Sequence, residues 1–330
     1  MSALSNTYLT FSAIGNRENL VDIIYNISPT ECPFQAAIGK NKADSTLHEW
    51  QTDILAAATT NAALQGDDST NSYTFTAPCY TIRLNNRTQI SRKDVVVSGT
   101  QDAVAKAGRK KEMVYQLVKK SKELMRDMEF VLTQTGTRQA GGSTTAPTLV
   151  ALENWYGVTA SAVTTNTSLG AGGINSTTSG AGGGIGSAAR TDGTQRPLTE
   201  SLLKGVLQGC YTNGGEVDLL MAGPFNKTVI SGFTGNNTRM QDTSDKKLIS
   251  AIDIYVSDFG THRVVANRFS RDRTLNCVMT DMFAVSYLRP KQTIDLAKTG
   301  DNEKAWILAE YTLESRNDSG SGCVADLTTA

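Results

Sequence analysis

Apolar residues recur at three- and four-residue steps between Ala103 and Leu132, through Val114, Leu117, Val118, Leu124, Met125 and Met128. That spacing marks an amphipathic helix. Ser98 and Gln101 stand at capping-box separation and Gly136 supplies a stop, so one helix is predicted over 101–135. At 1.5 Å per residue it would be roughly 50 Å long, with Gly108 as a place to bend. A helix longer than a compact domain is wide reads as a spine.

The period changes upstream. Tyr80, Ile82 and Leu84 alternate with Thr81, Arg83 and Asn85, the two-residue repeat of a half-buried strand. A less regular strand is expected over Thr46–Ile54, around Trp50. Between them Ala56–Ser72 is small and polar, with Gly66-Asp67-Asp68 as a turn. The result is a hairpin without a core of its own, and an isolated two-stranded hairpin is marginal in water. Its apolar and aromatic side chains need an external surface. Before it, Pro29 and Pro33 bar any helix from running through 28–33, so residues 1–42 read as an arm with a short helix around Asn19–Ile24.

Downstream the pattern is α/β. Leu198, Leu202, Leu203, Val206 and Leu207 line a helix closed by Asn213-Gly214-Gly215. Val217–Met221 reads as a buried strand, and Gly223-Pro224 opens a short helix toward Gly232. Strands follow around Ile252–Val256, Leu275–Met279 and Phe283–Leu288, and Ile307, Ala309, Tyr311 and Leu313 alternate in a long last strand. Residues 157–189 carry no charge, and 28 of the 33 are Gly, Ala, Ser, Thr or Asn. That composition predicts a long surface loop, or else a segment packed closely against a neighbouring copy.

Composition narrows the function classes. The 330 residues suffice for about two domains, and 32 basic against 32 acidic side chains leave no global attraction to nucleic acid or membrane. Arg17 is the first basic residue and no long apolar run occurs, so neither a secretory signal nor a membrane span is read. Five cysteines, none within 40 residues of another, read as buried thiols of a reducing compartment. Charge is uneven locally: 83–126 holds twelve cations against four anions. Arg92, Lys93, Lys106, Arg109, Lys110, Lys111, Lys119, Lys120, Lys122 and Arg126 form its basic patch. Tyr115 is its one aromatic residue, so base stacking is excluded. What remains is a solvated face, weak salt-sensitive phosphate contact, or attraction to acid on a sister subunit.

Fragments of catalytic signatures fail on context. Gly184-Ile185-Gly186-Ser187-Ala188-Ala189 fits GxGxxA but no hydrophobic strand precedes it. Asp258-Phe259-Gly260 lacks every companion of a kinase and reads as a turn. His48 and Glu49 would point to opposite faces of a strand, which leaves His48 beside Trp50 in an aromatic role. Asp67 and Asp68 read as solvated turn carboxylates. No catalytic residue, cofactor or metal is expected.

Arm, extended hairpin, spine helix, α/β domain and returning strand, in this order, resemble the major capsid proteins of tailed bacteriophages, whose fold also builds encapsulin and herpesvirus shells. The wording is similar too. Pro29-Thr30-Glu31-Cys32-Pro33-Phe34 and His48-Glu49-Trp50-Gln51-Thr52-Asp53 match the N-terminal signatures of one short branch. Val97-Ser98-Gly99-Thr100-Gln101, leading to Glu123-Leu124-Met125-Arg126-Asp127-Met128-Glu129, matches its spine helix. Glu310-Tyr311-Thr312-Leu313-Glu314 with Asn317 matches its last strand. The likeness spans about 20–317 and is specific in combination; the glycine-rich 170–186 stretch departs from it.

The resemblance implies an α+β fold: an arm over 1–42, an extended β-hairpin loop over 43–92, and a peripheral domain with the spine helix over 93–150. An axial domain over 151–272 and return strands over 273–330 complete it. It implies hexamers and pentamers closing into an icosahedral head around double-stranded DNA, assembled in the bacterial cytoplasm without membrane. The expected partners are further copies, a portal, scaffolding or decoration proteins, and the DNA by weak contact. In such folds the loop lies over the adjacent subunit, which makes His48, Trp50, Tyr73, Phe75, Tyr80, Ile82 and Leu84 the expected inter-subunit contacts. Some relatives seal that contact with a Lys–Asn isopeptide bond. No lysine lies between Lys42 and Lys93, so non-covalent contact is expected. About 42 residues precede the loop, so no large removable scaffolding segment is expected. Two other classes compete: a nucleic-acid-binding protein using the 83–126 patch, and a polar, β-rich adhesin or fibre protein suggested by the Ser/Thr/Gly segment.

Overall fold

Two sheets share one helix between them in the computed structural model, which describes residues 28–53, 81–104, 106, 108–156, 166–175, 189–233, 253–317 and 319–330, with isolated positions between 55 and 65. The four-stranded sheet has the order β1 (Gly39–Lys42), β10 (Phe283–Asp295), β11 (Asn302–Ser315), β4 (Gln89–Ser98). The six-stranded sheet runs β5 (Thr167–Ser168), β12 (Gly322–Val324), β9 (Leu275–Val278), β6 (Leu219–Ala222), β8 (Gly260–Ala266), β7 (Ile254–Ser257). The hairpin strands β2 (Leu47–Thr52) and β3 (Ile82–Arg87) pair only with each other.

The long antiparallel pair β10–β11 explains the alternation seen in the last strand. Ile307, Ala309, Tyr311 and Leu313 all turn into the main core with Phe283 and Val285. The six-stranded sheet is covered on both faces, which is why β6 reads Leu-Leu-Met-Ala without a polar position. Leu219 and Met221 point into the main core, while Leu220 and Ala222 point into a second cluster with Val206, Leu207 and Cys210 of α4 (Glu200–Thr212). The Thr199 side chain accepts the Leu202 amide to start α4, and α5 (Pro224–Ser231) opens at Gly223-Pro224 as expected. Asp258-Phe259-Gly260 forms the β7–β8 turn, with Gly260 at φ 138°.

The spine helix departs from its expected form. The stripe over 101–135 divides into α2 (Gly99–Ala103) and α3 (Glu112–Thr133), so α3 measures about 33 Å, not 50. Ser98 Oγ does accept the Gln101 amide, at 3.2 Å, but what it caps is only the short α2. Gly108 takes φ 73°, a left-handed conformation that breaks the helix rather than bending it. The new N-terminus is then capped from α2: Asp102 Oδ1 accepts the Glu112 amide at 2.9 Å. The helix also ends before Gly136, because Thr133 Oγ1 and Gln134 Nε2 both turn to the Phe269 carbonyl, at 3.1 and 2.9 Å. Leu124, Met128 and Leu132 bury its inner face completely.

Three other readings change. The arm does not simply cross a surface: α1 (Pro33–Ala37) leads into β1, which joins the four-stranded sheet in parallel register with β10. Residues 166–175 are no plain loop, since β5 there forms the sheet's outer strand beside β12. On its return the chain re-enters the four-stranded sheet, which β1 and β4 have already joined, at Phe283 and leaves it at Ser315, so β9 and β12 on either side belong to the six-stranded sheet. Cys210, Cys277 and Cys323 are buried free thiols, and burial pushes Cys210 up to about 12. Cys32 is only half-buried, and Cys79 and the Asn19–Ile24 helix lie outside the described residues.

Candidate assembly surface

The hairpin stem runs from the Leu47–Arg87 pair to the Thr52–Ile82 pair, and one of its faces is rooted in its own subunit. His48 and Trp50 share that face, with rings 5.6 Å apart, and Trp50 stands 5.5 Å from the fully buried Trp155. Trp50 Nε1 donates to the Ser315 carbonyl at 2.8 Å. Leu84 is 3% exposed within the main core. Asn86, with no exposure, donates to Leu313 O at 2.7 Å and accepts the Val150 amide at 2.9 Å. Thr88 Oγ1 donates to Glu310 at 2.9 Å. Glu49 faces away and pairs with Arg83.

This corrects the expectation for Leu84, which has no side-chain surface to offer a neighbour, and ties His48 and Trp50 to intramolecular partners. Ile82 keeps its place opposite Thr52 in the stem. Its side chain, and Tyr73, Phe75 and Tyr80, lie outside the described residues. The residues that root the stem (Asn86, Thr88, Trp155, Glu314) are polar or distant in sequence, and no period marks them.

Glu314 collects donors from three other strands and from Arg316 just past its own. Its Oε2 lies 3.3 Å from His48 Nε2, 3.0 Å from Asn41 Nδ2 and 3.0 Å from Ser286 Oγ, and Oε1 accepts Arg316 Nε at 3.0 Å. The His48 bond above all, then those from Asn41, Arg316 and Ser286, hold its carboxyl well below the usual 4.5 despite burial. A depressed carboxylate stabilises fully above its unfolded value and stops doing so as pH falls through its folded one. Glu314→Gln is therefore expected to lose about 2 kcal/mol at pH 7, the scale of charged hydrogen bonds under partial solvent screening. In urea titrations, the gap to the parent should narrow as pH drops below 4.5. A gap constant down to the acid limit would detach Glu314 from the stem's stability.

A second buried carboxylate pins the arm. Glu129 of α3 accepts the Phe34 and Gln35 amides at 2.8 and 3.0 Å, standing in for the missing N-cap of α1. Asn267, just after β8, donates to it at 2.8 Å. Burial raises its pKa, opposed by these bonds.

A third carboxylate network fixes the glycine-rich segment. Glu153 and Arg190 side chains, both at 0% exposure, meet at 2.8 Å, and Arg271 reaches Glu153 at 3.1 Å and Asp192 at 2.6 Å. Asp326, at φ 58°, accepts the Gly170 and Gly193 amides at 2.9 Å each.

The basic run is half spent inside the molecule. Lys93 pairs with Asp127 at 2.5 Å, Lys106 with Asp102 at 3.6 Å, Lys120 with Glu123 at 2.7 Å, and Arg109 with Glu112. Arg92 lies beside Asp94 and over the Trp306 ring, and Arg126 over Phe269. Lys110, Lys111, Lys119 and Lys122 form no ion pair among the described residues.

His262 is held from both sides, by Ser257 Oγ at 2.6 Å and the Val217 carbonyl at 2.6 Å, a buried structural histidine. Among the described residues no group of three His, Cys, Asp or Glu side chains is placed to hold a metal, and no helix is long and apolar enough to cross a membrane.

Comparison with known proteins gives a consistent answer. The family model for the SU10 major capsid protein matches residues 4–328. The major capsid protein of Escherichia phage Phieco32 is 26% identical over 340 residues, covering 96% of this chain and 95% of that protein. Among solved structures, the capsid asymmetric unit of cyanophage A-1(L) superposes with a TM-score of 0.66 at 14% identity, over 99% of this chain and 100% of its own. The capsid of a native GTA particle gives 0.62 at 8% identity, covering 97% and 98%. At these identities the structural likeness shows the fold, which is that of tailed-phage capsids.

Proposed function

The chain belongs to the SU10 major capsid protein family, and on that premise we propose how it builds a head. It is the major capsid protein of a phage, and its copies associate as hexamers and pentamers that close into an icosahedral shell around double-stranded DNA. The six-stranded unit forms the axial part of each capsomer, and the four-stranded sheet with α3 forms the periphery. Assembly proceeds in the host cytoplasm. The portal is built in at one vertex, scaffolding or decoration proteins engage the shell, and the packaged DNA meets it only weakly.

The observation that carries this reading is the family match over 4–328 joined to the hairpin geometry. The stem is rooted in its own subunit, yet residues 54–81 carry no cation and only Asp67 and Asp68 as charges, an apolar and small-residue reach suited to covering a neighbour. Many modest contacts of this kind add by multivalency into a stable closed shell. No observation favours nucleic-acid binding as the primary role, since half of the basic patch is paired with carboxylates of its own chain. Negative-stain microscopy of the purified protein tests the reading: closed particles tens of nanometres wide support it, and monodisperse monomers at all concentrations overturn it.

The loop contacts should be non-covalent, because no lysine lies between Lys42 and Lys93. Shell subunits are expected to run as monomers on denaturing gels, and a ladder of covalent multimers would refute this.

A further inference from the structure

The face of the hairpin stem turned away from its own subunit carries charge without balance. Register places Leu47 opposite Arg87, Glu49 opposite Asn85 and Gln51 opposite Arg83 on that face, because His48, Trp50 and Leu84 take the other. Glu49 is the one carboxylate among these residues and is taken by Arg83. Arg138, from the chain that follows α3, donates to Asn85 Oδ1 and so lies against the same face. Arg87 and Arg138 are both half-buried, and neither meets a carboxylate among the described residues.

Two neighbouring guanidiniums with no anion between them are an unfavourable arrangement for a finished surface. Partial burial lowers the Arg138 pKa, and the charge of Arg87 lowers it further. The structure around them offers no relief. Arg138 stands at the root of a turn closed by the Gln139–Thr148 bridge and by the Gly142 amide on Thr145 O at 2.8 Å. Residues 139–146 of that turn are all exposed and all uncharged. Asn85, 8% exposed, joins stem to turn with a neutral amide.

What completes the pair comes from outside the subunit, and charge says what it is. Arginine presents paired N–H donors that match a carboxylate. Another copy supplies carboxylates in excess: 83–126 holds twelve of the 32 basic and four of the 32 acidic side chains, which leaves 20 and 28 elsewhere. A phosphate chain, the other polyanion at hand, is met by rows of cations. Here the row is missing, since the stem strands hold no lysine and the turn no charge.

We propose that a carboxylate side chain of a second copy enters between Arg87 and Arg138 and is held there by both guanidiniums. The site is incomplete in one subunit. The proposal rests on the assembly reading above and adds to it the stem root, with the 139–146 turn beside it, as a salt-bridged contact separate from the cover proposed for residues 54–81.

Assembled Arg138→Lys particles treated with a water-soluble carbodiimide test it, because that reagent joins an amine only to a carboxylate in direct contact. Mass spectrometry of particles built from mixed nitrogen-15 and unlabelled subunits should find position 138 joined to an Asp or Glu in chains of unlike label. If Arg138→Lys fails to assemble, Arg87→Lys carries the same cross-linking test. Arg87→Ala combined with Arg138→Ala should raise the protein concentration needed for closed particles about tenfold or more, the scale of losing a close charge pair at an interface. Products confined to like-labelled chains, or no product at the introduced amine, would overturn the proposal and leave the assembly reading standing on the particles themselves. An unchanged threshold in the double variant would overturn it too. So would weaker binding of a short DNA duplex to the unassembled double variant than to the parent, which would assign the pair to phosphate. If the parent forms no particles at all, both readings fall together.

Discussion

Arg190→Ala is expected to lower the unfolding midpoint by roughly 6–12 °C, the largest single effect among the charged residues. The Arg190 and Glu153 side chains are both wholly buried and meet at 2.8 Å. Removing one partner of such a pair leaves a charge without compensation in the interior, at a cost of about 3–5 kcal/mol. Arg271 still reaches Glu153 at 3.1 Å, which puts the loss near the lower figure. In a chain of this size each kcal/mol moves the midpoint by roughly 2–4 °C. The damage should be local in origin, because Arg190 also holds Thr274 at 3.0 Å and thereby clamps the 189–193 strand of loop to the β9 end of the six-stranded sheet. Replacing both charges, Glu153→Leu with Arg190→Met, should recover most of the loss, since the desolvation cost disappears along with the attraction. A calorimetric shift of under about 2 °C for Arg190→Ala would mean that Arg271 alone balances Glu153. Full loss in the double replacement would mean that geometry matters more than charge.

That network also shows where sequence reasoning reaches and where it stops. Elements with a patterned core were legible: β11 and α4 carry theirs at fixed steps, β6 reads as an unbroken apolar run, and the hairpin announced itself by the alternation across 80–85. The stripe on α3 was legible as well, but not its start, because Ala103, Val104 and Ala107 keep the step across a break set by the backbone of Gly108. Strand β1 reads Gly-Lys-Asn-Lys with every position exposed. It is held by main-chain bonds to β10, which leave no mark on side-chain pattern. Strand β5 hides for the opposite reason, in a glycine-rich run where close backbone approach replaces side-chain packing; a Cβ on Gly322 would sit 2.0 Å from the Asn166 carbonyl. Glu129, Glu153 and Glu314 were invisible because each is a charged residue whose partners lie up to about 270 positions away, and no local rule separates such a group from a solvated one.

The same distinction decides how the ribbon should behave in a lone subunit. Trp50→Ala is expected to free the stem while sparing the rest of the fold. The indole packs tilted against Trp155, with ring centroids 5.5 Å apart, and donates to Ser315 O at 2.8 Å. Truncating an aromatic side chain of this kind costs about 3 kcal/mol, the low end of the range because Trp50 is only half-buried. Backbone amides of Leu47–Thr52 and Ile82–Arg87 should then exchange with solvent roughly a hundred times faster, the factor that such a loss of local stability implies. Exchange in β10 and in β11 away from Ser315 should stay unchanged, because the indole touches β11 only at that last carbonyl bond and the strand pair is held by its own ladder. On the assembly proposed above, particle formation should fail in the same variant, since the stem sets the direction from which residues 54–81 would approach a neighbour. A ribbon stabilised only by its neighbour would behave differently. In that case the free subunit would show fast exchange in the stem before any substitution, and Trp50→Ala would change assembly alone. Measuring exchange in dilute, unassembled protein separates the two, and equal rates in parent and variant would remove Trp50 as the stem's anchor.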